Sequence, residues 1–246
     1  MARYQIVIAY DGSDFLGSQR QAKSRTVQSQ IERALKRLGW QGKSVIMAGR
    51  TDTGVHALGQ VAAFDYEWNH SPDDLASAIN GNLPADIVVE TAKLVHDEFH
   101  PRFDALSRRY CYRLLCQPVR KPLQERYIWR VWPMPDETIL HHAASLFLGR
   151  HDFAAFGSPA KVGNSTIRTV IKSNWQLSGD EWTFEVEADG FLYRMVRKLV
   201  HIQVAVGQGR FSAQLIADAL AGKCNLPAGL APAKGLALVE VTYPVV

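Results

Sequence analysis

The segment Gly49-Arg50-Thr51-Asp52-Thr53-Gly54-Val55-His56-Ala57 holds the residues of this chain best suited to chemistry. Asp52 lies between two glycines in a loop short enough to project a carboxylate from a rigid base. Arg50 is two residues away, close enough to pair with it. A guanidinium beside a carboxylate favours the ionised form, which suits a nucleophile or a base. A simpler reading makes Asp52 a turn residue bonded to its own backbone, with Arg50 as a surface partner. A third takes Asp52-Thr53-Gly54 as the tripeptide of aspartic proteases, in which two carboxylates share one proton. Arg50 opposes that shared proton, the sequence has no second such tripeptide, and only a homodimer would supply one.

Two further segments carry a charge pattern that suits a nucleic acid. From Leu106 to Leu114 the residues alternate, with Leu106, Arg108, Tyr110, Tyr112 and Leu114 on one face and Ser107, Arg109, Cys111 and Arg113 on the other. Tyrosines interleaved with arginines can stack on bases and neutralise phosphates, at about 1–3 kcal/mol per base stacked. The same pattern also fits a core strand with its tyrosines inward and a solvated arginine face. In Gly190–His201, Leu192, Met195, Val196, Leu199 and Val200 form an apolar helical face, opposite Arg194, Arg197, Lys198 and His201. A solvated helix surface usually mixes signs, and there is no acid from Phe191 to Arg210.

Positioning these residues requires strands and helices that the sequence marks. Arg3–Tyr10 reads as a strand, Thr26–Leu38 as an amphipathic helix stopped by Gly39, and Ser44–Ala48 as a short strand before the Asp52 loop. A strand from Gln60 to Tyr66 follows. Ser71-Pro72-Asp73-Asp74 opens a second helix, and Ile87–Leu94 is a strand. The first hundred residues thus give the split β-α-β-β-α-β pattern. The second part reads as a strand at 106–116, a helix at 136–148, strands at 166–177 and 182–188, helices at 192–206 and 213–221, and a closing strand at 236–242. The expected class is α+β: two α/β domains, 1–103 and 104–246, with mostly antiparallel sheets.

Composition agrees with a folded chain. Of 246 residues 47% are hydrophobic and 21% charged, enough for a sizeable core. The net charge of +4 is unevenly spread. Pro101–Arg130 holds eight basic residues against Asp104 and Glu125, a net of +6, which leaves the remaining residues at −2. Such concentration is the footprint of a polyanion partner. Three cysteines without zinc spacing read as reduced thiols. There is no Walker loop, dinucleotide fingerprint or His-Glu-x-x-His, so neither a nucleotide nor a metal is expected. Residues 1–30 lack an apolar signal core and no stretch reaches membrane-span length, so a cytoplasmic protein with no membrane partner is expected.

Taken together and in order, these segments resemble the tRNA pseudouridine synthase A (TruA) family. Tyr10-Asp11-Gly12-Ser13-Asp14-Phe15-Leu16-Gly17 is similar to its opening motif, and Gly49–Ala57 to its catalytic motif. Phe99-His100-Pro101-Arg102 with Arg109-Tyr110-x-Tyr112 is similar to its tyrosine motif, and Phe191-Leu192-Tyr193-x-Met195-Val196-Arg197 to its third. The chain departs from the pattern in having Ser18 where tryptophan is usual, Thr53 for alanine or lysine, Lys198 for asparagine and His201 for glycine. The resemblance implies a homodimeric enzyme without cofactors that isomerises uridine to pseudouridine at positions 38–40 of the tRNA anticodon stem–loop, bound in a basic cleft between the domains. It implies that Asp52 is the essential carboxylate, acting either on the sugar as a nucleophile or as a base that removes a sugar proton. Arg50 would help to extrude the nucleotide and pair with Asp52. Tyr110 would stack on the flipped base, and Arg197 would reach the active site. Arg108, Arg109, Arg194 and Lys198 are further candidates for RNA contact. The alternative from another class is a tRNA-binding or folding protein that keeps the scaffold without turnover.

Overall fold

Alternation and periodicity translate into elements as follows in the computed structural model, which describes residues 1–22 and 24–244. The chain divides into two compact units, residues 1–106 with 237–246, and residues 107–236.

The first unit contains β1 (Ala2–Tyr10), α1 (Val27–Arg37), β2 (Ile46–Met47), β3 (His56–Tyr66), α2 (Pro72–Asn80) and β4 (Ile87–Val95). β1 runs antiparallel to β3, with Ala2 opposite Tyr66 and Ile8 opposite Gln60, and antiparallel to β4 on its other side. β2 adds to β3 through Ile46–Ala63 and Met47–Ala62. Both helices carry capping boxes, Thr26 with Ser29 and Ser71 with Asp74, which satisfy amide groups that helix starts leave unpaired. α1 buries Val27, Ile31, Ala34 and Leu35, the face expected from the spacing.

A final strand, β10 (Leu236–Thr242), pairs in parallel with β3, Ala237 opposite His56 and Leu238 opposite Ala57. The sequence boundary near residue 103 therefore compares with a division after residue 106, and the closing strand counts with the first unit. A parallel pairing needs a long crossover, and nothing in the local sequence of β10 names its partner.

The second unit contains β5 (Ser107–Cys116), β6 (Trp129–Val131), α3 (Glu137–Ser145), β7 (Gly149–Asp152), β8 (Ile167–Ser178), β9 (Glu181–Ala188), α4 (Met195–Gly207) and α5 (Gln214–Leu220). Its sheet runs β5-β9-β8-β7, antiparallel throughout, with β6 alongside β5 in parallel. On β9, Trp182, Phe184, Val186 and Ala188 are buried while the residues between them are half-buried. Trp175 of β8 meets Phe184 with ring centres 4.9 Å apart, and its indole donates to the buried Gln203 of α4 at 2.8 Å. β6 and β7 were not expected from the sequence. Both are short, and His151 and Asp152 lie in β7 opposite Arg168 and Ile167. No helix among the described residues is long and apolar enough to cross a membrane.

Candidate active site

The strand β3 begins at His56, inside the motif rather than four residues after it, so the Asp52 loop is confined to residues 48–55. Each part of this short loop is bonded from outside. At its start, the buried Gln60 side chain acts as a second backbone amide: its Nε2 donates to the Gly49 carbonyl at 3.0 Å and its Oε1 accepts from the Gly49 N–H at 3.3 Å. In the middle, Thr51 is held at three atoms. Its N–H donates to Ser18 Oγ at 2.8 Å, its carbonyl accepts from the Ser18 N–H at 3.1 Å, and its hydroxyl lies 2.8 Å from Tyr10 Oη. At the end, a Cβ added to Gly12 would stand 2.0 Å from the Val55 carbonyl oxygen, so only glycine lets the turn after β1 approach the loop. The Gly12 N–H then donates to His56 Nδ1 at 3.0 Å, with Asp11 Oδ1 3.2 Å from the same nitrogen.

Asp52 sits half-buried in the centre of this frame, with its carbonyl closing the turn to the Val55 N–H at 3.1 Å. Arg50 precedes it on the same loop and is exposed. A carboxylate on a backbone fixed at both flanks loses little entropy when it meets a substrate, which is what positions a reacting group.

In the second unit β5 buries Tyr110, Tyr112 and Leu114 and turns Arg109 and Arg113 the other way. Tyr110 is nine-tenths buried and packs edge-on against Phe191, ring centres 5.0 Å apart. The arginine face is answered within the sheet. Arg113 holds Glu181 at 2.5 and 3.0 Å, and Arg109 lies 3.3 Å from Glu185. Lys172 donates to the same Glu185, and together these cations hold its carboxyl below the usual range, the lysine bond contributing most. Arg130 likewise faces Glu125 at 3.2 Å. Two of the eight basic residues counted between Pro101 and Arg130, Arg109 and Arg113, are therefore answered by acids distant in sequence. Arg108 is half-buried and donates to the Asp189 carbonyl at 2.9 Å. Burial pushes Cys111 and Cys116 up to about 11, so neither thiol is a nucleophile at neutral pH.

The helix expected from Leu192 starts at Met195 instead, because Arg194 adopts the left-handed region at φ 63°. The preceding residues bridge to Ser158, whose carbonyl accepts from the Tyr193 N–H at 2.9 Å. Strain of this kind costs about 1–3 kcal/mol and gathers at functional sites. Arg194 is exposed and lies over the Tyr193 ring at 4.7 Å. The basic residues of α4 itself, Arg197, Lys198 and His201, are half-buried against the segment that ends at Ala231. Arg197 Nε donates to the Ala231 carbonyl at 2.8 Å, and the Ala231 N–H returns to the Arg197 carbonyl at 3.1 Å. Lys198 donates to the carbonyls of Pro227 and Gly229. A Cβ on Gly229, at φ 127°, would stand 2.3 Å from the His201 ring. Beside them Tyr112, fully buried, donates to the Pro232 carbonyl at 2.7 Å. Among the described residues no group of three His, Cys, Asp or Glu side chains is placed to hold a metal ion.

The structure thus gathers Asp52 and Arg50 on one loop, and Arg197 and Lys198 on one helix with Arg194 just before it. Sequence reading missed Tyr10, Ser18 and Gln60 around Thr51, and the covering segment 225–231. The signal for Ser18 was present only as a departure from the usual tryptophan.

Comparison with known proteins places this geometry. A protein-family model described as tRNA pseudouridine synthase matches residues 6–104 and 143–244, which include Asp52 and Arg197; Tyr110 falls between the matched segments. Curated relatives span nearly the full chain. The tRNA pseudouridine synthase A of Methylacidiphilum infernorum is 42% identical over 246 residues, covering 98% of this chain and 95% of that protein. Those of Maricaulis maris and Thermoanaerobacter pseudethanolicus are 40% and 39% identical, each covering 99% of this chain and 99% and 100% of the relative. This chain belongs to the tRNA pseudouridine synthase family.

Proposed function

We propose that this protein converts uridine to pseudouridine at positions 38–40 of the tRNA anticodon stem–loop, with Asp52 as the catalytic carboxylate. The observation that carries the reading is a half-buried carboxylate on a loop bonded at both flanks, in a chain of the tRNA pseudouridine synthase family. The reaction breaks the bond from the sugar C1′ to N1, joins C1′ to C5 of the same base, and releases the C5 proton. Asp52 acts at the sugar. The target base is paired or stacked, so it is first turned out of the helix at a cost of a few kcal/mol. Arg50, exposed beside Asp52, meets the strand as the nucleotide leaves. Tyr110 offers its ring to the extruded base, held at its angle by Phe191. Arg197 reaches the site from α4, with its Nε bonded to the Ala231 carbonyl.

Of the remaining candidates for RNA contact, Arg194 is best supported, being exposed and held at its backbone angle by the fold. Arg108 comes next, half-buried on β5 and bonded to the Asp189 carbonyl. Arg109 and Lys198 are the least supported, since Glu185 and two carbonyls already answer them. A homodimer acting in the cytoplasm completes the proposal, on the family resemblance alone.

The test is tritium release from tRNA carrying uridine labelled at C5. Asp52→Asn binds tRNA and releases no tritium; substantial release by the folded variant removes Asp52 from the reaction. A variant without turnover whose parent protein also binds tRNA without turnover would favour the non-catalytic alternative instead.

A further inference from the structure

The core beside the Asp52 loop contains polar side chains where apolar ones would pack at lower cost. Ser18 and Gln60 are fully buried, and Tyr10 nearly so. A buried polar group left unpaired costs about 1–3 kcal/mol, so polar residues in such places are kept only when their bonds are made. Here they are made, and they converge on two residues that precede Asp52 in the loop, Gly49 and Thr51.

The bonds form a connected chain. Gln60 grips Gly49 at both backbone groups and also bonds the Tyr10 hydroxyl. Tyr10 passes on to the Thr51 hydroxyl, and Ser18 takes the Thr51 N–H and carbonyl. Ser18 is itself anchored, since its carbonyl accepts from the Gln28 N–H of α1 at 2.9 Å. Three elements therefore hold the loop: β1 through Tyr10 at Thr51, β3 through Gln60 at Gly49, and the start of α1 through Ser18 at Thr51. Burial pushes the Tyr10 hydroxyl up to about 12, so it stays protonated across the working range of pH. All of the polar atoms of Thr51 have partners, which leaves the next residue, Asp52, on a backbone with few ways to move.

We propose that Tyr10, Ser18 and Gln60 are positioning residues for the reaction: through Thr51 and Gly49 they hold the Asp52 carboxylate at the sugar, and Ser18 does in this chain what a bulky side chain at its place could not do by hydrogen bonding. The proposal rests on the reading of Asp52 as the catalytic carboxylate. Misplacing a reacting group by a fraction of an ångström lowers turnover without weakening binding.

The experiment measures kcat and KM for unmodified tRNA, together with tRNA binding and melting temperature, in Ser18→Ala, Tyr10→Phe, Asp52→Asn and Ser173→Ala. Ser173 is a buried serine of the second unit whose hydroxyl donates to the Ala144 carbonyl at 2.8 Å, so its loss removes a comparable bond away from the loop. Ser18→Ala and Tyr10→Phe each lower kcat about tenfold with KM and tRNA binding unchanged. Ser173→Ala loses similar melting temperature and keeps its kcat. Wild-type kcat in both loop variants, or an equal fall in Ser173→Ala, overturns the positioning role while an inactive Asp52→Asn leaves the catalytic reading in place. Turnover by Asp52→Asn overturns both.

Discussion

The Asp52 loop and the start of α4 are fixed in opposite ways. In the first, side chains from the interior bond the backbone of the loop: Gln60 to Gly49, and Ser18 to Thr51. In the second, side chains of the functional element itself reach out and bond the backbone of a covering segment, Arg197 to Ala231 and Lys198 to Pro227 and Gly229. Where the frame supplies the bonds, the backbone of the loop is held by residues other than the candidate catalytic one. Where the candidates do the fastening, part of their hydrogen-bonding capacity is spent. Arg194 escapes this because it lies before the helix, exposed and in a strained conformation. A basic helical face read from sequence is thus a count of charges, and how many of them can meet RNA is decided by what packs over the helix.

The comparison can be broken on the interior side first, where the effect is largest. Gly12→Ala drives a methyl into the Val55 carbonyl, a backbone group that cannot swing aside. Overpacking of this kind costs roughly 3 kcal/mol. Denaturant unfolding should show that loss, and turnover should fall further than the stability change explains. A variant with normal unfolding and normal kcat would mean that the close approach of β1 and the loop is not needed.

Breaking the covering side should do less. Lys198→Met keeps the aliphatic stem and removes the ammonium, which burial already disfavours by lowering the lysine's affinity for its proton. Lost carbonyl bonds and relieved burial oppose one another, so the expected destabilisation is on the order of 1 kcal/mol in urea. Binding of tRNA should change little. A tenfold loss of affinity with stability intact would show that Lys198 reaches phosphate after all.

The smallest effect sharpens the contrast by pH. His201 is held below its ordinary value, first by burial, then by the cations Lys198 and Arg210, with a bond to the Ala228 backbone acting the other way. The folded state therefore favours neutral imidazole. Its contribution to stability is complete above the unfolded histidine value, near 6.5, and is lost as pH falls through the lower folded value. Melting temperature followed from pH 7.5 to 5 should fall more in the parent protein than in His201→Gln. Equal slopes would place the titration elsewhere.

Much of this molecule was legible before its structure. The alternation of Tyr4, Ile6, Ile8 and Tyr10 in β1, the apolar spacing of α1 and the Ser71-Pro72 helix start each produced the expected element, because capping and periodicity act within a few residues. The Asp52 loop was legible as well, since its glycines and flanking strands are local. β6 and β7 were not, being too short for alternation to register. The pairing of Arg109 and Arg113 with Glu185 and Glu181 was invisible too, because cross-strand neighbours come from sheet register rather than from spacing.

The sequence by itself determined which residues could do chemistry and what kind: a carboxylate beside a guanidinium in a glycine loop, tyrosines among arginines on a strand, and a helix without acids. It also determined the family, through four motifs in order. Only the tertiary structure decided what surrounds each of them. It turned Ser18 from an unexplained departure into a bond on Thr51, and Lys198 from a surface charge into a fastening for residues 227–229. The physical reason is common to both cases. Hydrogen bonds and burial are satisfied by whatever the fold brings near, and in both cases the partner lies some thirty residues away along the chain.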